Sequence, residues 1–252
     1  MRFLWIKIIF FIMLLLNTAY ADIVLQKLNI EKSSEYKELR SRYSIPVPII
    51  EGKLYPLGWS KDSKFAYILV PALEARSSAV FRIQDMITDK ILFEKIYREG
   101  LDGYPNDLPI DLKKLVENKG QVAHYLHKYR IKGDDHKLRC FPIKLLKQEI
   151  DYDLKTVYEI NHYFGHQQFL SRVNIDLYSN TVDGQKKIAT KTIFDKKIDL
   201  KSLYYGTMVV GYLKSPFEER IAIVVIYFRR GWEGSPHVTS FELVGASLSK
   251  GF

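Results

Sequence analysis

The sequence contains one cysteine, Cys140, in 252 residues, so no internal disulfide can form. Disulfide frameworks commonly hold small secreted domains together, and this chain must rely on packing instead. It has no Asn-x-Ser/Thr acceptor. No apolar run after the first 20 residues is long enough to span a bilayer, which takes about 20 apolar residues. No G-x-S-x-G, H-E-x-x-H, phosphate-binding glycine loop or dinucleotide fingerprint occurs. Ser34-x-x-Lys37 and Ser247-x-x-Lys250 lack the S-D-N and K-T-G partners that a penicillin-recognising enzyme requires. No catalytic residue, metal ligand set or cofactor is therefore assigned.

The first residues supply a positive start (Arg2, Lys7), an apolar core (Ile8 to Leu16) and the small residues Ala19 and Ala21. That is the pattern of a secretory signal peptide, with cleavage expected after Ala21. The expectation is an exported protein, periplasmic or secreted, that is not an integral membrane protein once processed. Residues 22–45 read as a polar N-terminal segment, with a short helix capped by Ser33 or Ser34. Residues 46–252 read as a single β-rich domain. The net charge of +9 is spread along the chain rather than clustered. After export it favours an envelope protein, a glycan or a lipid headgroup as partner, and disfavours nucleic acid.

Strand signals dominate from residue 52. Four short strands are expected over 52–96, with Phe81 and Ile83 on one face and Arg82 and Gln84 on the other. Leu112, Leu115, Val116, Ala123 and Leu126 recur at helical spacing and predict a helical insert at about 110–129, broken near Gly120. Strands return from Thr156 onward, with a hairpin turn at Asp183-Gly184. Ile221 to Phe228 is apolar on both faces, which predicts a central strand covered on both sides. The fold class expected is mainly β: antiparallel sheets in blade-like or sandwich-like units, with one helical insert.

Two phrases echo each other. Gly58-Trp59-Ser60 followed by Lys64-Phe65-Ala66 matches Gly211-Tyr212, Ser215 and Arg220-Ile221-Ala222. Each reads as a strand, a polar turn, a basic residue and a buried strand. The first copy resembles a blade hairpin of the TolB-type and WD40-like β-propellers. Trp59-Ser60-Lys61-Asp62 with Phe65-Ala66 matches the hairpin, and Ile83-Gln84-Asp85-Met86-Ile87-Thr88-Asp89 matches the strand that follows it. The second copy departs from that pattern, with Ser215-Pro216-Phe217-Glu218 and no Asp-Gly. The chain ending also resembles predicted secreted bacterial proteins for which no activity is known.

The stretch Arg229-Arg230-Gly231-Trp232-Glu233-Gly234-Ser235-Pro236-His237 carries the most chemistry. Arginine presents a planar fork to carboxylates or phosphates, and tryptophan presents a flat face to sugars or side chains. Arg229, Arg230, Trp232, Glu233 and His237 are the candidate ligand-binding residues. The competing reading is a plain hairpin connection. Cys140, between Arg139 and Phe141, is expected to be a small buried hydrophobe. The function expected is a non-catalytic envelope binding or interaction module. The alternative is an exported hydrolase, metal-dependent if His124, His127, Asp134, Asp135, His136, His162 and His166 converge.

Overall fold

The computed structural model describes residues 25–42, 49–72, 78–98, 111–117, 121–134, 136–161, 167–195, 204–230 and 237–252. The expected signal peptide, Asp135, His162, His166, Trp232 and Glu233 lie outside the described residues.

Three four-stranded sheets carry the fold. The first is a meander of β2 (Lys53–Trp59), β3 (Lys64–Val70), β4 (Ser78–Asp85) and β5 (Ile91–Arg98), paired in that order. The middle sheet has the order β1 (Ile49–Ile50), β12 (His237–Ser247), β11 (Arg220–Arg230) and β10 (Tyr204–Lys214). The third runs β6 (Ile143–Lys144), β7 (Glu149–Asn161), β8 (Gln167–Thr181) and β9 (Gly184–Asp195). All pairings are antiparallel except β1 with β12. Two helices, α2 (Leu112–Glu117) and α3 (Gln121–Lys128), form the expected insert. An earlier helix, α1 (Ser34–Arg42), is capped as expected: the Ser33 hydroxyl accepts from the Tyr36 N–H at 3.3 Å.

The sheets stack in layers, and β11 explains the order. Ala222, Val224, Ile226 and Phe228 pack with Phe65 and Tyr67 of the first sheet. Ile221, Ile223, Val225 and Tyr227 pack with Val173, Ile175 and Leu177 of the third. A strand apolar on both faces is thereby buried on both. On its far side the first sheet presents Leu57, Ala66, Ile68, Phe81 and Ile83 to Leu115, Val122 and Leu126 of the two helices. His124 and His127 point away from that contact and are exposed. The N-terminal segment also joins the core, since Leu28, Ile30 and Tyr36 are buried between the first and middle sheets.

The echoed phrases occupy equivalent places. Both hairpins bulge at their glycine, Gly58 (φ +147°) and Gly211 (φ +143°). The residue after each glycine forms a reciprocal bridge with the segment that links α3 to β6. Trp59 bonds Lys132 at 3.0 and 2.8 Å, and Tyr212 bonds Arg139 at 3.0 and 2.8 Å. Each turn closes the same way, with Ser60 N–H on the Lys64 carbonyl (2.8 Å) and Ser215 N–H on the Arg220 carbonyl (2.9 Å). The match extends to the third strand. Met86 N–H bonds the Ser63 carbonyl and Leu248 N–H bonds the Glu219 carbonyl, each at 2.9 Å.

Equivalent faces also point the same way around the stack. Trp59, Phe65 and Tyr67 face the middle sheet, while their counterparts Tyr212, Ile221 and Ile223 face the third. The two units therefore follow one another in one sense. The two turns touch directly: the Ser63 hydroxyl donates to Glu218 Oε1 at 2.5 Å, and Arg220 Nη1 donates to the Met86 carbonyl at 2.9 Å.

Candidate functional site

β12 is paired along one side by β11, but β1 covers only His237 and Val238 on the other. Side chains from the first sheet meet the rest of that edge. Asp89 Oδ1 accepts from the Gly245 N–H at 2.8 Å, and Gln84 Nε2 donates to the Leu243 carbonyl at 2.9 Å. The Tyr67 hydroxyl holds Gln84 by donating to its Oε1 at 2.8 Å. Asp89 also pairs with Lys191 of β9, which ties the third sheet to the same edge. Capping an exposed edge with side chains blocks pairing with another chain.

Next to this capped stretch lies a cavity of about 770 Å³ to which all three sheets contribute. The first sheet supplies Tyr67, Arg82 and Gln84, the middle sheet Tyr204, Tyr227, Ser240 and Glu242, and β9 supplies Phe194 and Asp195. Strand alternation places them: Arg82 and Gln84 lie opposite Phe81 and Ile83, which face the helices. Tyr227 and Ser240 are direct partners across β11 and β12. Phe194, Tyr204 and Tyr227 form an aromatic wall, with ring centroids 4.8 Å apart for Tyr204 and Tyr227 and 5.5 Å for Phe194 and Tyr204.

The Ser240 Oγ is buried without a hydrogen-bond partner. A buried polar atom left unpaired is costly and unusual in a folded protein. Glu242 keeps some solvent contact along its length. Its carboxyl is nonetheless pushed up to about 7, chiefly by burial, with the Asp89 charge adding to it. Nearby Tyr227, Lys191 and Arg82 act in the opposite direction without overcoming burial. The Tyr227 hydroxyl lies beside the carboxyl and favours its ionised form. Burial also raises the Tyr227 and Tyr67 phenols, the latter to about 12.

The charged groups are paired within the protein. Arg82 Nε meets Glu94 at 2.6 Å, and Arg172 meets Asp195 at 3.1 Å. On the outer face of the third sheet, Asp176 is out of solvent contact just beneath Lys155 and Lys187. Burial alone would raise its carboxyl, but hydrogen bonds from Lys155, Lys187 and Thr190 prevail and hold it below the usual carboxylate range.

The sequence pointed to residues 229–237, where β11 gives way to β12. Arg229 is exposed at the end of β11, and Arg230 pairs with His237 at the base of the connection. Tyr227 and Ser240 sit three residues further down the same stem. They and Glu242 were not read as site residues, because an alternating strand gives no sign of which cavity its polar face lines. Cys140 differs from the expectation and is exposed. It lies beyond the Arg139 bridge, where the chain passes over the edge of the sheets. Among the described residues, no three His, Cys, Asp or Glu side chains converge as metal ligands. No described helix is long and apolar enough to cross a membrane.

No family model, curated protein or solved structure matches the chain.

Proposed function

We propose that the chain is an exported, non-catalytic binding module of the cell envelope, and that it holds its ligand in the cavity between the three sheets. The observation that carries this reading is the cavity itself, about 770 Å³ in volume, to which all three sheets contribute polar and aromatic side chains. The signal pattern at the start of the sequence supports export, and Asp22 is the N-terminus expected of the processed protein. The same-sense stacking of the two echoed units supports kinship with TolB-type and WD40-like blades. Arg229, Arg230, Trp232, Glu233 and His237 remain candidate ligand-binding residues on their chemistry.

A pull-down from envelope extract tests this. Purified protein should retain a partner that both a Tyr227→Phe, Ser240→Ala variant and an Arg230→Ala, Trp232→Ala variant release. Retention by the first variant and release by the second would move the site out to the loop. N-terminal sequencing of the exported protein should begin at Asp22.

A second reading is an exported hydrolase. It is favoured by Glu242, whose carboxyl, pushed up by burial to about 7, is about half protonated at neutral pH, the range in which a general acid operates. Turnover in a hydrolase screen that Glu242→Gln abolishes would support it over binding alone.

A further inference from the structure

We infer that two copies of the chain form a two-fold dimer by pairing the open edge of β7 with β7 of the second copy, antiparallel and centred on Val157. This surface lies apart from the cavity and does not depend on it.

β6 covers only the start of β7, pairing with Glu149 and Ile150. Among the described residues, no strand pairs with that side of β7 from Asp151 to Asn161. The β6–β7 turn closes with the Leu145 N–H on the Gln148 carbonyl at 2.9 Å, which turns the even-numbered residues of β7 toward the open side. The Tyr152 N–H accordingly meets Asp151 Oδ1 at 2.8 Å. The register shift beside Val157 places its extra residue, Ser171, on β8, so β7 keeps its alternation. Leu154, Thr156, Tyr158 and Ile160 thus present their N–H and carbonyl groups to the open side.

Other edges of the sheets are covered or blunted. Gln84 and Asp89 cap β12, and the bridges to Lys132 and Arg139 meet β2 and β10. The Tyr129 hydroxyl donates to the Leu92 carbonyl on β5 at 3.4 Å, and β9 carries Lys186, Lys187 and Lys191. From Leu154 to Ile160, β7 has no proline and a single lysine, Lys155, which Asp176 holds on the outer face. Val157, Tyr158 and Ile160 are exposed there. An open edge with apolar side chains is a template for pairing with another strand.

Charge selects a second copy as the partner and sets the register. Residues directly opposite in an antiparallel pair attract when oppositely charged and destabilise it when alike. A two-fold at Lys155 would set two lysines face to face, and one at Thr156 would set Asp153 against Glu159. A two-fold at Tyr158 would set Glu159 against Val157. With the axis at Val157, Lys155 of each copy lies opposite Glu159 of the other, Thr156 lies opposite Tyr158, and Leu154 lies opposite Ile160. Lys155 is half exposed, and its ammonium has three donors, so it can serve Asp176 and the opposing Glu159 together.

Sedimentation velocity of the purified protein, from about 5 to 500 µM, tests this. A monomer–dimer equilibrium with a Kd of about 100 µM or tighter is expected. Val157→Lys sets two like charges at the axis and should weaken the dimer at least about tenfold. Cross-linking in a Cys140→Ser background reads the register separately. Val157→Cys should form an intermolecular disulfide under mild oxidation, because directly opposed Cβ atoms lie about 5 Å apart. Glu159→Cys should not, because its copy is roughly 13 Å further along the strand. A chain that stays monomeric at about 500 µM, a dimer that Val157→Lys leaves intact, or equal cross-linking by the two cysteine variants would overturn the inference.

Discussion

The carbonyl oxygen of Lys132 occupies the space beside Gly58 where a side chain would begin: a Cβ on Gly58 would lie 1.9 Å from it. Gly211 stands in the same relation to Arg139, whose carbonyl oxygen would be 2.4 Å from an added Cβ. The two echoed glycines are thus required twice over, by a positive φ and by the bridge each hairpin makes to the chain between α3 and β6. Gly58→Ala and Gly211→Ala should each destabilise the protein by about 2–4 kcal/mol, through strain and loss of the bridge. Gly184→Ala has a positive φ but open space around it, and should lose only about 1 kcal/mol. Urea denaturation of the three variants checks the order.

Glu242 makes stability depend on pH in a direction that can be worked out. Its carboxyl is raised in the folded protein, so the folded state holds the proton more tightly than the unfolded chain. Stability should therefore fall as pH rises from about 4.5 to about 7, and level off above that. Glu242→Gln removes this dependence. Relative to wild type the variant should gain on the order of 1–3 kcal/mol between those limits, measured by denaturant unfolding at several pH values.

Asp176 should behave in the opposite sense. Its carboxyl is lowered, so its contribution is present above the ordinary carboxylate range and disappears as pH falls through its folded value. Asp176→Asn should destabilise the protein at neutral pH by about 1–3 kcal/mol, because Lys155, Lys187 and Thr190 lose a charged acceptor. The gap between the two proteins should narrow steadily in acid below about pH 4, followed by circular dichroism.

The central strand should tolerate truncation on neither face. Ile223→Ala opens a gap toward the third sheet and Ile226→Ala one toward the first. Both side chains are fully buried, and each substitution should cost about 2–5 kcal/mol in chemical denaturation. A single transition, coincident by fluorescence and circular dichroism in both variants, would establish that the two interfaces belong to one cooperative unit.

Much of this fold was legible in the residues. The unbroken apolar run of β11 announced a strand between two layers, because every side chain on it had to leave water. Leu112, Leu115 and Leu126 marked the helical insert by their spacing. The Gly-Trp-Ser and Gly-Tyr phrases marked two equivalent hairpins, because a bulge with a positive φ and a turn closed by serine restrict the residue types at those positions. Ser33 marked the start of α1 in the same local way.

Other features depended on contacts between residues far apart in sequence. Arg82, Gln84, Ser240 and Glu242 alternate with apolar neighbours as they would on any solvent-facing strand. That they line one cavity follows from the packing of three sheets around the open side of β12. Glu242 holds its proton because that packing removes water from its carboxyl, and Asp176 gives its proton up because two lysines from neighbouring strands reach it. Local sequence determined the strands, turns, bulges and caps, whose energetics involve residues a few positions apart. The site was decided by the tertiary structure, since burial and electrostatic environment belong to the assembled layers and to no single segment.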